Sequence, residues 1–321
     1  MNTPARMGAY ALGLAVAFAG AFGIGGAVGA TPPSAPVTSG HGGHATPAPA
    51  PATPAPAAPK ADHVPGGLQV SQSGYTLTPR TTTITPGERT EFRFTVDGPD
   101  GRPVTAYETR HDKKLHLVVV SRDATVFRHV HPELAADGTW SVPLTLPDAG
   151  AYRVFADFVP QGGEALTLGA DLYAAGDYAP RPLPPAGRTV TVDGYTVRLD
   201  GTLTPGTASR LVAEISKDGR PVTDLQPYLG AYGHLVALRV GDLAYLHVHP
   251  DGAPGDGVTP AGPGITFHAE VPSRGDYRLF LDFQHDGTVR TAAFTVRAGQ
   301  PSGAAPAGTA GHGSEHTHSG H

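Results

Sequence analysis

Cysteine is absent from the 321 residues, and the two methionines are Met1 and Met7. The first absence excludes disulfides, a thiolate nucleophile and any thiolate metal site. Together the two exclude a blue-copper electron-transfer centre and leave no sulfur ligand for Cu(I) in the body of the chain. A surplus of charge of one sign is also lacking. With 23 Lys and Arg against 28 Asp and Glu the net charge is -5, so no basic field invites a nucleic acid. No long segment shows a capped helical period, and neither a Gly-x-Ser-x-Gly elbow nor a His-Glu-x-x-His helix occurs. A helical fold and an enzyme are therefore not expected.

Glycine and proline are in excess, 43 and 33 residues, and concentrate at the ends. Residues 7–30, MGAYALGLAVAFAGAFGIGGAVGA, carry no charge. The run is longer than the apolar centre of a typical signal peptide and close to the ~20 residues of a spanning helix, with Arg6 before it. Residues 1–30 read as a cleaved signal peptide, with Val28-Gly29-Ala30 as the cleavage site, or as an N-terminal transmembrane anchor. Either way the chain beyond residue 30 is expected to be extracytoplasmic, anchored at the membrane or secreted. Residues 31–67 form a disordered Pro/Ala linker. Residues 299–321 form a disordered tail ending in His312, His316, His318 and His321, and with His41 and His44 in the linker both flanks read as weak metal-gathering tracts.

Between them the chain repeats itself. HLVVVSRDATVFRHVHP at 116–132 returns as HLVALRVGDLAYLHVHP at 234–250, GRPV at 101 returns at 219, and AYRVFADF at 151–158 returns as DYRLFLDF at 276–283. His116, His129 and His131 map onto His234, His247 and His249 by a constant 118, whereas Phe155 and Asp157 map onto Phe280 and Asp282 by 125. A net insertion of seven residues falls in DGAPGDGVTPAGPG. Short alternating runs such as EFRFTV and YRVFADF, separated by DG, GP and PG turns, read as strands. The expected fold is all-β, with two tandem immunoglobulin-like or cupredoxin-like antiparallel sandwiches at 68–176 and 189–298 joined by 177–188. Sandwich against barrel stays open.

A hairpin turning at Ser121-Arg122-Asp123-Ala124 would set His116 opposite His129, with His131 on the same face because side chains alternate with period two. A turn at Val240-Gly241 would do the same for His234, His247 and His249. Opposed Cβ atoms ~5 Å apart let imidazoles share an ion, and Asp157 and Asp282 are candidate fourth ligands. Imidazole and carboxylate suit an oxidised divalent ion, Cu(II) or Zn(II). The competing expectation is a metal-free envelope structural or protein-interaction module. In it the same histidines are core residues bonded to carbonyls, since their face also carries Val118, Val120 and Phe127. His111, His268 and His285 read as surface residues, Trp140 as core, and Arg153 and Arg278 as possible partners that would neutralise the neighbouring Asp.

The stretches DKKLHLVVVSRDATVFRHVHPELAADGTWSVPLTLPDAGAYRVFADF and TDLQPYLGAYGHLVALRVGDLAYLHVHP resemble a family of two-repeat actinobacterial secreted or membrane-anchored proteins of heavy-metal-associated type. They are broadly similar to extracytoplasmic copper-handling β domains. The resemblance implies His116, His129, His131, His234, His247 and His249 as ligands, and a membrane metal transporter or chaperone as exchange partner.

Overall fold

In the computed structural model, which describes residues 64–246 and 248–299, every regular element is a strand. The first repeat contributes β1 (Ser71–Gln72), β2 (Tyr75–Pro79), β3 (Thr83–Ile84), β4 (Thr90–Asp97), β5 (Leu115–Ser121), β6 (Phe127–Val130), β7 (Glu133–Leu134), β8 (Thr139–Leu144), β9 (Gly150–Phe158) and β10 (Leu166–Ala174). The second contributes β11 (Thr189–Val192), β12 (Tyr195–Asp200), β13 (Ala208–Lys217), β14 (Arg220–Pro221), β15 (Gly233–Arg239), β16 (Tyr245–Leu246), β17 (Val248–Pro250), β18 (Gly264–Glu270), β19 (Gly275–His285) and β20 (Thr288–Ala298). The hydrophobic segment at 1–30, the linker histidines, His247 and the tail histidines lie outside the described residues. Among the described residues no helix is long and apolar enough to cross a membrane.

Each repeat is a sandwich. In the first, the sheet β1-β2-β4-β8-β7 faces the sheet β3-β10-β9-β5-β6; in the second, β11-β12-β13-β18-β17 faces β16-β15-β19-β20. The orders β2-β4-β8-β7 and β10-β9-β5-β6 are the A-B-E-D and G-F-C-C′ arrangement of immunoglobulin-like domains, and the second repeat reproduces it. Separate facing sheets decide for a sandwich over a barrel. The F-strand tyrosine corner occurs twice: Tyr152 Oη donates to the Asp148 carbonyl at 2.8 Å and Tyr277 Oη to the Ser273 carbonyl at 2.8 Å. With no cysteine to bridge the sheets, packing alone closes each core. Phe92, Phe94 and Trp140 meet Leu117, Val154 and Leu168 in the first, and Tyr195, Leu211 and Phe267 meet Leu235, Leu279 and Phe294 in the second. Trp140 is core, as its sequence context suggests, and its Nε1 donates to Tyr107 Oη at 3.1 Å.

Strand β5 is buried along its whole length, as expected for a strand covered on both faces. Leu115, Leu117 and Val119 point into their own sandwich. Val118 and Val120 point the other way, into a third core shared by the two repeats with Phe127, Phe155, Val236, Leu238 and Phe280. The G-F-C-C′ sheets thus pack face to face about a pseudo-twofold axis, the internal equivalent of an isologous dimer. Phe127 stacks on Phe280 with centroids 4.2 Å apart and planes at 7°; the related pair, Tyr245 and Phe155, lies 5.5 Å apart at 44°. One departure from symmetry comes from residues 64–67, the end of the segment read as linker. Tyr245 N–H donates to the Gly66 carbonyl at 2.9 Å and Gly67 N–H to the Thr167 carbonyl at 2.7 Å, so this stretch is strapped across the seam. It crosses β10 at Gly169, where a Cβ would collide with the Gly67 carbonyl.

Candidate metal centre

The histidine phrase straddles β5 and β6. Their register pairs Val118 with His129 and Val120 with Phe127, so His116 falls opposite His131 rather than opposite His129 as expected. The loop is two residues longer than expected, four residues at 122–125: Ser121 N–H reaches the Val126 carbonyl at 3.0 Å, and Ser121 Oγ and Asp123 Oδ1 hold the amides of Val126 and Thr125. A shift of two residues preserves the face, because side chains alternate with period two. His116, His129 and His131 therefore remain together, and one ring nitrogen from each lies within 4.8 Å of the others.

The backs of two rings decide which nitrogens face inward. His116 Nε2–H donates to the Arg110 carbonyl at 3.2 Å, which leaves Nδ1 of the neutral ring as a lone pair. His129 Nδ1–H donates to Asp282 Oδ2 at 2.8 Å, which leaves its Nε2 as a lone pair. His116 Nδ1 then meets His129 Nε2 at 3.2 Å and His131 Nε2 at 3.2 Å. The lone pairs of His116 Nδ1 and His129 Nε2 repel at that distance unless a cation sits between them, either a proton on one ring or a metal ion, whereas a neutral His131 can donate its Nε2–H to His116 Nδ1. Donors ~2.0–2.1 Å from a tetrahedral ion are ~3.3 Å apart, close to the separations found. Burial, followed by the charge of neighbouring His129, pushes His116 down to about 3 and His131 down to about 3, so both are neutral and unprotonated near pH 7.

Asp282 belongs to the other repeat. The His129–Asp282 pair crosses the seam with side chains only 6% and 4% exposed, and Thr291 Oγ1 donates to the second carboxylate oxygen at 2.5 Å. Both oxygens are thus engaged behind a ring rather than beside its inward nitrogen. A carboxylate in that place fixes the ring's tautomer, as carboxylates do behind metal-bound histidines. The expected neutralisation by arginine does not occur. Arg153 pairs with Asp171 at 2.9 Å and caps the Gly67 carbonyl, while Arg278 donates to the Ala124 carbonyl across the seam and to Thr295 Oγ1.

Among the described residues the second copy of the phrase is arranged differently from the first. His234 Nε2–H donates to the Tyr228 carbonyl at 2.8 Å, the symmetry equivalent of His116 on Arg110, and burial pushes its ring down to about 4. It lies across the seam from the triad, with ring centroids 6.4 Å from His116 and 6.3 Å from His129. His247 lies outside the described residues. His249 lies on β17, in the other sheet, opposite His268 of β18 and exposed. Asp157 sits beside His116 in the β5–β9 register and accepts from Thr167 Oγ1 at 3.0 Å; burial pushes its carboxyl up to about 6. His116, His129, His234, His249 and Asp157 all line one cavity of about 410 Å³, so these residues of both repeats share it, while His131 is not in its lining.

Of the other histidines, His285 differs from its expected surface place and His111 keeps it. His111 is exposed but does not face away: its ring lies 6.1 Å from His116 and 5.3 Å from His234. His285 is buried, its Nε2–H donating to Asp224 at 3.0 Å and its Nδ1 accepting from Tyr195 Oη at 2.7 Å, a structural bridge within the second repeat. His268 is exposed, as expected. The carbonyls of Arg110 and Tyr228 stand at the same spacing of 118 as the histidines they hold, a signal present in the repeat but carried by backbone rather than by residue type.

The chain belongs to the family described as "Domain of unknown function (DUF8832)", whose model matches residues 69–175 and again 190–300. No curated protein matches it. Among solved structures it is similar to the Escherichia coli adhesin FdeC, at 16% identity over 70% of this chain and 65% of that one, with a TM-score of 0.25. It is also similar to the Yersinia pseudotuberculosis adhesin InvE, at 13% identity over 71% and 60% with a TM-score of 0.21. A third is the bacterial integrin-binding protein invasin, at 14% over 70% and 39% with a TM-score of 0.20. The chain spans less than two thirds of the length of each of these three. The immunoglobulin-like assignment rests on the strand order and not on these scores.

Proposed function

We propose that the chain is an extracytoplasmic divalent-metal-binding protein that holds Cu(II) or Zn(II) through His116 Nδ1, His129 Nε2 and His131 Nε2, with Asp282 of the other repeat behind His129. The observation that carries this reading is the 3.2 Å separation of His116 Nδ1 from His129 Nε2, whose opposite nitrogens are tied to a carbonyl and a carboxylate, with His131 Nε2 also 3.2 Å from His116 Nδ1. The donor set suits an oxidised borderline ion and not Cu(I). The role is binding and buffering without turnover. The N-terminal segment would keep the module at the envelope, and a membrane transporter or metal chaperone would exchange the ion.

A second reading has an observation of its own. The face that carries His116 continues into the shared core through Val118 and Val120, and one proton on His129, paired with Asp282, would satisfy the cluster without metal. The protein is then an envelope structural or interaction module, a role open to immunoglobulin-like domains of many kinds. Chelator-competed Cu(II) and Zn(II) titrations of the full chain separate the two readings when compared with a His116→Ala/His129→Ala/His131→Ala variant. Loss of about one tightly held ion, with the near-UV signal of Trp140 kept, supports the metal site. Identical titrations leave the metal-free module.

A further inference from the structure

We propose that the end of the seam opposite the strap is a docking site for an extended segment of a partner protein carrying a Gly-Gly pair, seated as this chain's own Gly66-Gly67 is seated. The pseudo-twofold axis gives each group at the strap a counterpart: Phe127 for Tyr245, Phe280 for Phe155, Thr291 for Thr167 and Ala293 for Gly169. At the strapped end the strand edges are in use. Tyr245 N–H donates to the Gly66 carbonyl, Gly67 N–H to the Thr167 carbonyl and Gly169 N–H to the Gln69 carbonyl. At the other end Phe127, Phe280, Thr291 and Ala293 line a cleft of about 310 Å³.

The second repeat does not strap this end itself. Gly187 stands before Tyr195 as Gly67 stands before Tyr75, yet its N–H reaches the Thr295 carbonyl at 3.0 Å, farther along β20 than Thr291. Backbone groups alternate sides along a strand, so with Thr295 facing outward Ala293 and Thr291 face outward too. Among the described residues no hydrogen bond reaches the outward backbone groups of Thr291 and Ala293 or the Phe127 N–H, and Thr291 is exposed. An uncovered edge accepts an added strand through main-chain hydrogen bonds. Glycine is set by the aromatic ring: a Cβ on Gly67 would lie 2.3 Å from Phe155, whose place Phe280 takes here. Two differences make this seat exchangeable where the strap is fixed. Ala293 stands where Gly169 admits the Gly67 carbonyl, and Arg278 donates to the Ala124 carbonyl while Arg153 clamps the carbonyls of Gly67 and Leu68. Each copy's Gly66-Gly67 is held in its own seam, so the occupant comes from another protein.

The test titrates the full chain into a fluorescein-labelled peptide of the strap sequence VPGGLQV and reads fluorescence anisotropy, with a control peptide in which valine replaces both glycines. The expected result is saturable binding of the first peptide and not of the control. Ala293→Gly should tighten it about fivefold, the change expected for one backbone hydrogen bond gained. Ala293→Pro, which removes an outward amide and leaves the pairing with β19 intact, should abolish it. If Ala293→Pro unfolds the chain, Ala293→Gly alone decides. Absence of saturable binding, equal binding of the control, or an affinity unchanged by Ala293→Gly overturns the proposal. Self-association of the chain that the peptide reverses gives the cleft to a second copy and overturns the partner.

Discussion

The two repeats carry the same histidine phrase and use it differently. In the first, the chain leaves β6 at Val130, passes His131 across the triad and joins β7 only at Glu133. In the second, β17 begins at Val248 and already pairs with β18, so His249 is drawn to the neighbouring sheet and set opposite His268. The insertion comes immediately afterwards, and β18 begins only at Gly264. Strand pairing has thus competed with the histidine cluster in one copy and not in the other. While His249 pairs along the edge of its own sheet, the second repeat gives His129 of the first a carboxylate, Asp282. The described halves of the seam are therefore unequal.

The largest effects should come from the seam itself. Phe280→Ala removes a fully buried ring stacked on Phe127 and should cost about 3–5 kcal/mol, as should Phe155→Ala on the related side. If the repeats are one cooperative body, urea unfolding of either variant stays a single transition displaced as a whole. A biphasic curve, with the untouched repeat melting at its native midpoint, would break the comparison.

The halves can then be set against each other chemically. Asp282→Asn should weaken the triad's ion by about 10–100-fold, the usual effect of losing a carboxylate behind a ligating histidine. Asp157→Asn should weaken that ion less, because Asp157 bonds to Thr167 and not to a triad ring. Equal losses in competition titrations would erase the distinction between them.

Acid should act through the buried rings. His116 and His234 are held far below the usual imidazole value by burial, so the unfolded chain binds more protons from pH 6.5 downward, and metal-free stability falls as pH falls. Asp157 acts oppositely, since its raised carboxyl makes the folded state bind the extra proton between about pH 4 and 6. Three imidazoles, His131 included, against one carboxyl leave a net of two protons, about 2.7 kcal/mol per pH unit in that window. Denaturation midpoints that rise on acidification from pH 6.5 to 4.5 would contradict this sign.

The smallest effects test what the repeats share. Tyr152→Phe and Tyr277→Phe each remove one corner hydrogen bond of 2.8 Å and should each cost about 0.5–1.5 kcal/mol. A marked inequality would mean that the sandwiches differ below the seam as well as at it.

The repeat, the all-β class and the common face of His116, His129 and His131 were determined by sequence alone. Period-two alternation holds a residue to its face through any even shift of register, so the face survived the two-residue error in the hairpin. The tertiary structure decided what covers that face. Val118, Val120 and Phe127 look alike in sequence whether they fill a private core or a shared one, because burial marks a surface as apolar without naming its partner. The pairing of His129 with an aspartate 153 positions away, the approach of His111 to His234 and the strap at Gly66 all arise from the packing of one sheet on the other. No local pattern encodes that packing, since both repeats present nearly the same pattern.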